Sequence, residues 1–159
     1  MDKTALLEAI IRQLQSELTL QTEAALASRD EATNEESRAE DKYDMRSQSA
    51  AYLAAGQAKF ATEIAAAIAA YRNLRPRPFA PGEAAGVGAV VTLEARGRPA
   101  CYFIGPLHGG LEVVFDGTPV IVITAGSPMG RQLVGRRAGE TVELPGQTAP
   151  VAHRLLAVA

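Results

Sequence analysis

Apolar and small residues recur along the first half of the chain at alternating steps of four and three. One stripe runs from Leu7 to Ala25, and a second runs from Tyr43 to Tyr71. This spacing turns one face of an α-helix toward a partner helix, as in coiled coils. The pattern therefore predicts two long amphipathic helices. Their inward positions are Leu7, Ile11, Leu14, Leu18, Gln21 and Ala25, then Tyr43, Ser47, Ala50, Ala54, Gln57, Ala61, Ile64, Ile68 and Tyr71.

A chain that folds back on itself brings the two stripes together as an antiparallel hairpin. Pairing positions whose numbers sum to about 75 sets large residues against small ones, which favours close packing. Leu18 then faces Gln57, and Gln21 lies near enough for the two amides to satisfy each other. The alternative is a continuous coiled coil between two chains. It is disfavoured because the stripes end in the small or polar residues Ala25, Ser28 and Ser47 toward the centre, where a continuous coiled coil would need apolar residues.

The same register places the turn of the hairpin near Ser37, inside an acidic run. Residues 29–44 hold seven carboxylates against three basic groups, and the sequence EESRAEDKYDMR at 35–46 includes most of them. Two interpretations remain open for this run. It is either a solvated turn that aids solubility, or a set of carboxylates presented at the tip of the hairpin.

Residues 76–159 follow a different pattern, because they contain all nine prolines and every glycine except Gly56. Proline breaks helix interiors and glycine serves turns, so RPRPFAPG marks a boundary. The sequence thus predicts a coiled-coil hairpin at 1–75, a Pro/Gly-rich linker at 76–86 and a domain at 87–159. Strands are expected at Val87–Leu93, Ala100–Ile104, Leu111–Phe115, Val120–Thr124, Thr141–Leu144 and Val151–Val158.

A short helix is expected between the fourth and fifth of these strands. Ser127 is its predicted N-cap, Pro128 its first helical residue and Gly135 the residue past its end. Wrapped on this helix, the strands form a small antiparallel β-sheet. The whole chain is therefore predicted to be α+β, with the helical hairpin first and the sheet domain second.

Composition narrows the class of protein. Apolar residues make up 47% and charged residues 21%, as in soluble globular proteins, and the net charge of −2 provides no basic field for nucleic acid or anionic lipid. Charged groups interrupt the first residues, and no apolar run reaches the roughly 20 residues of a membrane span. A single cysteine, Cys101, fits a reducing compartment. We expect a cytoplasmic protein that makes no membrane contact.

Metal and hydrolase chemistry find little support in the sequence. The two histidines, His108 and His153, have no close histidine or cysteine partner for a zinc site. Ser127, His153 and Asp116 contain the residue types of a catalytic triad, but no nucleophile-elbow sequence surrounds the serine. Neither site is expected.

The stretch ITAGSPMGRQLVGRRAGETVEL at 123–144 closely resembles the C-terminal signature of the bacterial Gre transcript-cleavage factors. The signature combines a Ser-Pro pair with a small residue, a leucine, two glycines and a valine at fixed spacing. The matching residues are Ser127, Pro128, Gly130, Leu133, Gly135, Gly139 and Val142. The resemblance covers nearly the whole chain in the same domain order. It implies a coiled coil followed by an FKBP-like domain.

The resemblance also implies a function. Gre factors dock on RNA polymerase at the rim of its secondary channel and extend their coiled coil toward the active centre. Acidic tip residues there help to hold a Mg²⁺ ion shared with the polymerase, which then cuts backtracked RNA near its 3′ end. Such a factor is a monomer, is not itself an enzyme and has no cofactor of its own. Carried over by position, the tip acids are Glu36, Glu40 and Asp41, and the docking residues are Ser127, Pro128, Met129 and Arg131.

The tip departs from the usual family pattern, which is Asp, two residues, then Glu-Asn-Ala-Glu-Tyr. With the tyrosine aligned on Tyr43, Glu36 takes the place of the first acid and Ala39 that of the second, followed by Glu40 and Asp41. A second hypothesis is therefore a Gre-like inhibitor or modulator that occupies the channel without stimulating cleavage.

Two further classes are less favoured. An FKBP-like fold can support prolyl isomerase activity, but the C-terminal half has only four aromatic residues and no tryptophan. A pure interaction protein would bind another helical partner and would not need its tip acids. A basic cluster of Arg131, Arg136 and Arg137 is either a solvated face or a contact for an acidic polymerase surface.

Overall fold

The computed structural model describes residues 2–33, 45–145 and 149–159. Two long helices come first, α1 (Lys3–Thr33) and α2 (Met45–Asn73). Four strands follow, then a short helix and two more strands. They are β1 (Val90–Ala95), β2 (Arg98–Gly105), β3 (Glu112–Phe115), β4 (Thr118–Thr124), α3 (Pro128–Leu133), β5 (Thr141–Leu144) and β6 (Val151–Val158). The predicted α+β class is confirmed.

The chain forms two compact units. The helical unit comprises Arg12–Ile68, which is most of α1 and α2. The sheet unit combines Met1–Ile11 with Ala69–Ala159, so it includes the first residues of α1 and the last residues of α2. Within the described parts of the chain, no helix is long and apolar enough to cross a membrane.

Burial along α1 and α2 confirms the predicted inward positions that the structure describes, whereas Tyr43 and the side chain of Ser47 lie outside the described residues. On α2, Ala50 and Ile64 are buried and the intervening Ala54, Gln57 and Ala61 are half-buried, at the predicted steps of four and three. On α1 the least exposed positions include Leu14 and Ser28, and Leu18, Gln21 and Ala25 are half-buried. The hydrophobic periodicity therefore identified the packed face of each helix.

The predicted register between the helices was wrong. Gln57 does not face Leu18, because the Ser28 hydroxyl donates to Gln57 Oε1 at 2.9 Å. Ser28 lies about ten residues farther along α1, which is roughly 15 Å at 1.5 Å per residue. Ser28 is 92% buried, and this hydrogen bond satisfies its polar side chain. A partly buried polar pair thus takes the place of the predicted contact between the Gln21 and Gln57 amides.

Gly56 lies in the interior of α2, where nothing comes within 4 Å of the position of an added Cβ. Alanine loses less backbone freedom on folding than glycine does. We therefore expect Gly56→Ala to raise the free energy of unfolding by about 0.5–1 kcal/mol. Urea unfolding followed by circular dichroism checks this. A lower midpoint would show that the helix face at Gly56 is packed closely by another group.

Six strands form one sheet in the order β3-β4-β2-β1-β6-β5. Four of the five neighbouring pairs are antiparallel, as the sequence predicted. The pair β2–β4 is parallel, so the sheet is mixed and the all-antiparallel prediction was wrong at this pair. The first strand also begins later than predicted, at Val90 instead of Val87. Gly88 has a φ of 88°, which lies outside the strand region.

Two tight hairpin turns support the sheet. Arg96 and Gly97 join β1 to β2 with φ values of 53° and 74°, and Asp116 and Gly117 join β3 to β4 with 49° and 72°. Positive φ at both central residues is the feature of type I′ turns, whose twist matches that of the strands. Such turns favour glycine at their second central position, which Gly97 and Gly117 occupy.

The two faces of the sheet carry different layers. Ile104 points into a hydrophobic core that includes Leu133 of α3. Its neighbour Phe103 belongs to the opposite face, because successive strand residues alternate. The Phe103 ring centre lies 6.4 Å from that of Tyr71. Residues 76–86 also take part in the core, since Phe79 and Ala85 are buried in it.

Tyr71 fastens the end of α2 within the sheet unit. Its hydroxyl donates to the Leu107 carbonyl at 2.9 Å, and its side chain is 1% exposed. Burial raises the pKa of the phenol, which stays neutral and retains its donor. Gly105 makes room for the ring, because a Cβ there would lie 2.1 Å from the Tyr71 hydroxyl oxygen.

Candidate functional site

The residues at the start of the short helix α3 fix where it begins. The Ser127 hydroxyl accepts from the Gly130 amide at 3.0 Å and donates to the Thr124 carbonyl at 2.8 Å. Pro128 takes the first helical position, where the missing N–H costs nothing. Ser127 is therefore the N-cap that the sequence predicted.

The end of α3 joins it to the 76–86 segment. Gly135 has a φ of 86° and its amide donates to the Ala85 carbonyl at 2.8 Å. The Ala85 amide in turn donates to the Arg136 carbonyl at 2.7 Å. These two backbone hydrogen bonds hold the position of the helix from its C-terminal side, and Leu133 anchors it in the core.

The four predicted docking residues are neighbours on and before α3 but differ in exposure. Pro128 and Arg131 are exposed, whereas Ser127 and Met129 are half-buried. Met129 packs against the hydrophobic core, so part of its side chain is already used within the domain. Arg131 Nη1 donates to the Gly126 carbonyl, which holds the guanidinium over the start of the helix. The exposed surface at α3 is thus a proline next to an oriented cation.

The other two arginines of the predicted basic cluster have partners within the sheet unit. Arg136 lies 3.7 Å from the Glu140 carboxylate, and Arg137 donates through Nη1 to the Gly82 carbonyl. An exposed ion pair such as Arg136–Glu140 stabilises the folded state by about 0–1 kcal/mol. Arg137 supports the 76–86 segment, so the cluster is more than a solvated face.

The predicted tip acids Glu36, Glu40 and Asp41 lie outside the described residues. In the sequence they fall between Thr33, the last residue of α1, and Met45, the first residue of α2. Their role stays a prediction.

The catalytic triad that the residue types allowed is not supported by hydrogen bonding. Ser127 directs its proton to the Thr124 carbonyl, and His153 Nδ1 lies 2.8 Å from the Val151 carbonyl. The serine therefore serves as a helix cap. Across residues 2–33, 45–145 and 149–159, no group of three or more histidine, cysteine or acidic side chains is placed to hold a metal ion.

A second cluster, which the sequence did not predict, surrounds the start of α1. Lys3 Nζ donates to the Arg77 carbonyl at 2.7 Å, although the residues are far apart in sequence. Lys3 and Arg77 both lie over the Phe79 ring, and Arg77 pairs with Glu83 at 2.6 Å. The Arg77 hydrogen bond and the Ala80 amide lower the pKa of Glu83. The arginines beside an aromatic residue in RPRPF were its only sequence signal.

Comparison with solved structures finds GreA factor homolog 1 of Thermus thermophilus at 21% identity, over 94% of this chain and 94% of that chain, with a TM-score of 0.39. A structure of the transcription factor Gfh1 is 22% identical to this chain, with a TM-score of 0.40, and the match covers 94% of this chain and 93% of that chain. Gfh1 of Thermus aquaticus is also 22% identical with a TM-score of 0.40, and the match covers 95% of this chain and 92% of that chain. No protein-family model and no curated protein matches the chain.

Proposed function

We propose that this chain is a Gre-like transcription elongation factor. It binds RNA polymerase through α3 and inserts its helical hairpin into the secondary channel. Glu36, Glu40 and Asp41 then reach the catalytic magnesium site and promote cleavage of backtracked RNA. The chain hydrolyses nothing alone, because the polymerase supplies the nuclease centre.

The observation that carries the proposal is the position of the sequence signature in the fold. Its Ser-Pro pair forms a rigid cap that leaves Pro128 exposed, and its Gly130 and Leu133 set the helix into the core. A fixed, exposed helix start of this kind suits docking, because little freedom is lost when a partner binds it.

The two long helices support the second part of the proposal. A helix of 31 residues such as α1 extends about 46 Å at 1.5 Å per residue. The segment that connects it to α2 is acidic. A long hairpin whose connecting segment is acidic can carry carboxylates to a buried centre in a partner that no globular domain could enter.

The donor chemistry of the connecting segment fits magnesium. Glu36, Glu40 and Asp41 offer carboxylate oxygens, which are the side-chain ligands that this hard cation takes. At a two-metal centre the ion stabilises the attacking and leaving oxygens. The role of this chain is to complete an oxygen shell that the polymerase provides in part.

A transcript-cleavage assay tests the proposal. Backtracked RNA polymerase complexes with labelled RNA are incubated with the protein and Mg²⁺, and polymerase binding is measured in parallel. We expect the RNA to shorten from its 3′ end. Because Arg131 is exposed beside the helix cap, Arg131→Ala should weaken polymerase binding about tenfold. Arg98→Ala, which removes an exposed arginine at a hairpin turn, is the matched control.

The absence of polymerase binding would end the proposal. Equal loss in the Arg131 and Arg98 variants would place docking elsewhere on the surface. Binding without RNA shortening, combined with suppression of an authentic cleavage factor in competition, would favour the inhibitor hypothesis. Ala39, at the position where the family carries its second acid, is the observation that keeps this second function open.

A further inference from the structure

Lys3 lies in a partly enclosed cationic environment at the first residue of α1. Its Nζ is 4.3 Å from the centre of the Phe79 ring, and the Arg77 guanidinium carbon is 4.1 Å from the same ring centre. The Lys3 hydrogen bond to the Arg77 carbonyl fixes the amine there. A lysine held against an aromatic ring and a second cation differs from a solvated surface lysine.

The amine opens onto a cavity of about 340 Å³. Apolar walls come from the prolines and the phenylalanine of the 76–79 segment, and polar groups come from the start of α1. Its lining is Asp2, Lys3, Thr4, Pro76, Arg77, Pro78, Phe79 and Ala159. This volume is at the lower end of the range for small-molecule sites. A compact reagent can therefore approach the amine from solvent.

The surroundings favour the neutral amine. Burial, and next the Arg77 charge, lower the pKa of Lys3 to about 8, and Glu83 opposes this shift in part. Asp2, the other charged group lining the cavity, accepts from the Thr4 and Ala5 amides as the N-cap of α1. At pH 7 an amine of pKa about 8 is roughly one-tenth neutral, whereas an ordinary lysine is less than about a thousandth neutral. Only the neutral form is a nucleophile.

We propose that Lys3 is a site of N-acylation by small acyl phosphates. The Lys3 Nζ lone pair attacks the acyl carbon, a C–N bond forms, and the bond from that carbon to the phosphate oxygen breaks. Phosphate leaves with the bonding electron pair, and the proton released from the nitrogen goes to solvent. The product is a neutral amide, which no longer repels Arg77. The Arg77 guanidinium lines the cavity beside the amine, and it has more N–H donors than its Glu83 partner uses, so it can also hydrogen-bond an anionic reagent.

Acetyl phosphate is the reagent for the test, with Lys59 of the same protein as the internal reference. Lys59 is exposed on α2. Rates at each lysine are followed by peptide mass spectrometry between pH 6.5 and 9.5. We expect Lys3 to react roughly tenfold faster than Lys59 at pH 7, because the larger neutral fraction outweighs the lower nucleophilicity of a weaker base. The Lys3 rate should level off above pH about 8.5.

Two controls test whether the reactivity of Lys3 comes from its folded surroundings and not from its neighbours in the sequence. One is unfolding and the other is a substitution. In concentrated urea the preference for Lys3 should disappear, since the ring and the cavity are gone. Arg77→Gln, a change at an exposed side chain, should slow Lys3 by a factor of about three and leave Lys59 unaffected. Equal rates in the folded protein, or a preference that persists in urea, would overturn the proposal. So would an Arg77→Gln variant in which Lys3 reacts as fast as before.

Discussion

Replacing Glu36, Glu40 and Asp41 together with alanine is expected to reduce stimulated transcript cleavage at least about 100-fold and to leave polymerase binding unchanged. A hundredfold loss corresponds to about 2.7 kcal/mol of transition-state stabilisation, which is in the range of one lost electrostatic contact at a reacting centre. The three carboxylates are the proposed oxygen ligands, so alanine removes the ligands without altering α3, the proposed docking element. The measurements are the initial rate of RNA shortening and the affinity for the polymerase.

A charge-matched control is available on the helices. Glu8, Glu23 and Glu63 are exposed, and changing all three to alanine removes the same number of charges. If this control also loses cleavage, the effect comes from overall charge rather than from the tip. If the tip variant cleaves as fast as the unchanged protein, the carboxylates have no role at the metal. In that case the acidic run serves only solubility.

The second large effect is expected in the short helix α3. Gly130→Ala should lower the free energy of unfolding by about 3 kcal/mol, at the upper end of the cost of overpacking. A Cβ at this position would lie 1.9 Å from the Thr124 carbonyl oxygen and 2.8 Å from its carbon. That carbonyl cannot yield easily, because it accepts from both the amide and the hydroxyl of Ser127. Urea unfolding followed by circular dichroism measures the loss.

Gly126→Ala is the matched control for this substitution. Gly126 precedes the same helix, and nothing lies within 4 Å of the place where its Cβ would be. We expect it to change the unfolding free energy by less than about 0.5 kcal/mol. The Gly130 variant should also bind polymerase more weakly, because α3 must shift away from β4. Equal stability of the two variants would contradict the close contact at Thr124.

Local signals in the sequence were enough to predict much of this fold. Ser127, Pro128 and Gly135 mark the start and the end of α3 through their own backbone preferences, and no distant residue is needed. The I′ turns at Arg96-Gly97 and Asp116-Gly117 are local in the same way. Helix periodicity identified the buried faces of α1 and α2, because burial repeats with the helix turn.

Features that depend on distant partners were not predictable in this way. The α2 seam is rich in alanine, so many registers against α1 pack similarly, and the Ser28–Gln57 hydrogen bond selects one of them. The parallel β2–β4 pair places β3 at the edge of the sheet, which no turn sequence specifies. The helix α3 was predicted from its motif. The Lys3 site was not, because it joins two segments separated by the whole hairpin.

The strand order also determines when each unit can form. Strand β6 lies inside the sheet, between β1 and β5, and the sheet unit draws on both residues 2–11 and residues 151–158. The helical unit contains only residues 12–68, so all of its residues are present while the later part of the chain is still being synthesised. The sheet unit must close its longest loop before it gains those contacts, which makes it the slower step. Until then, Leu6 and Ile10, which are fully buried in the folded chain, lack their native partners.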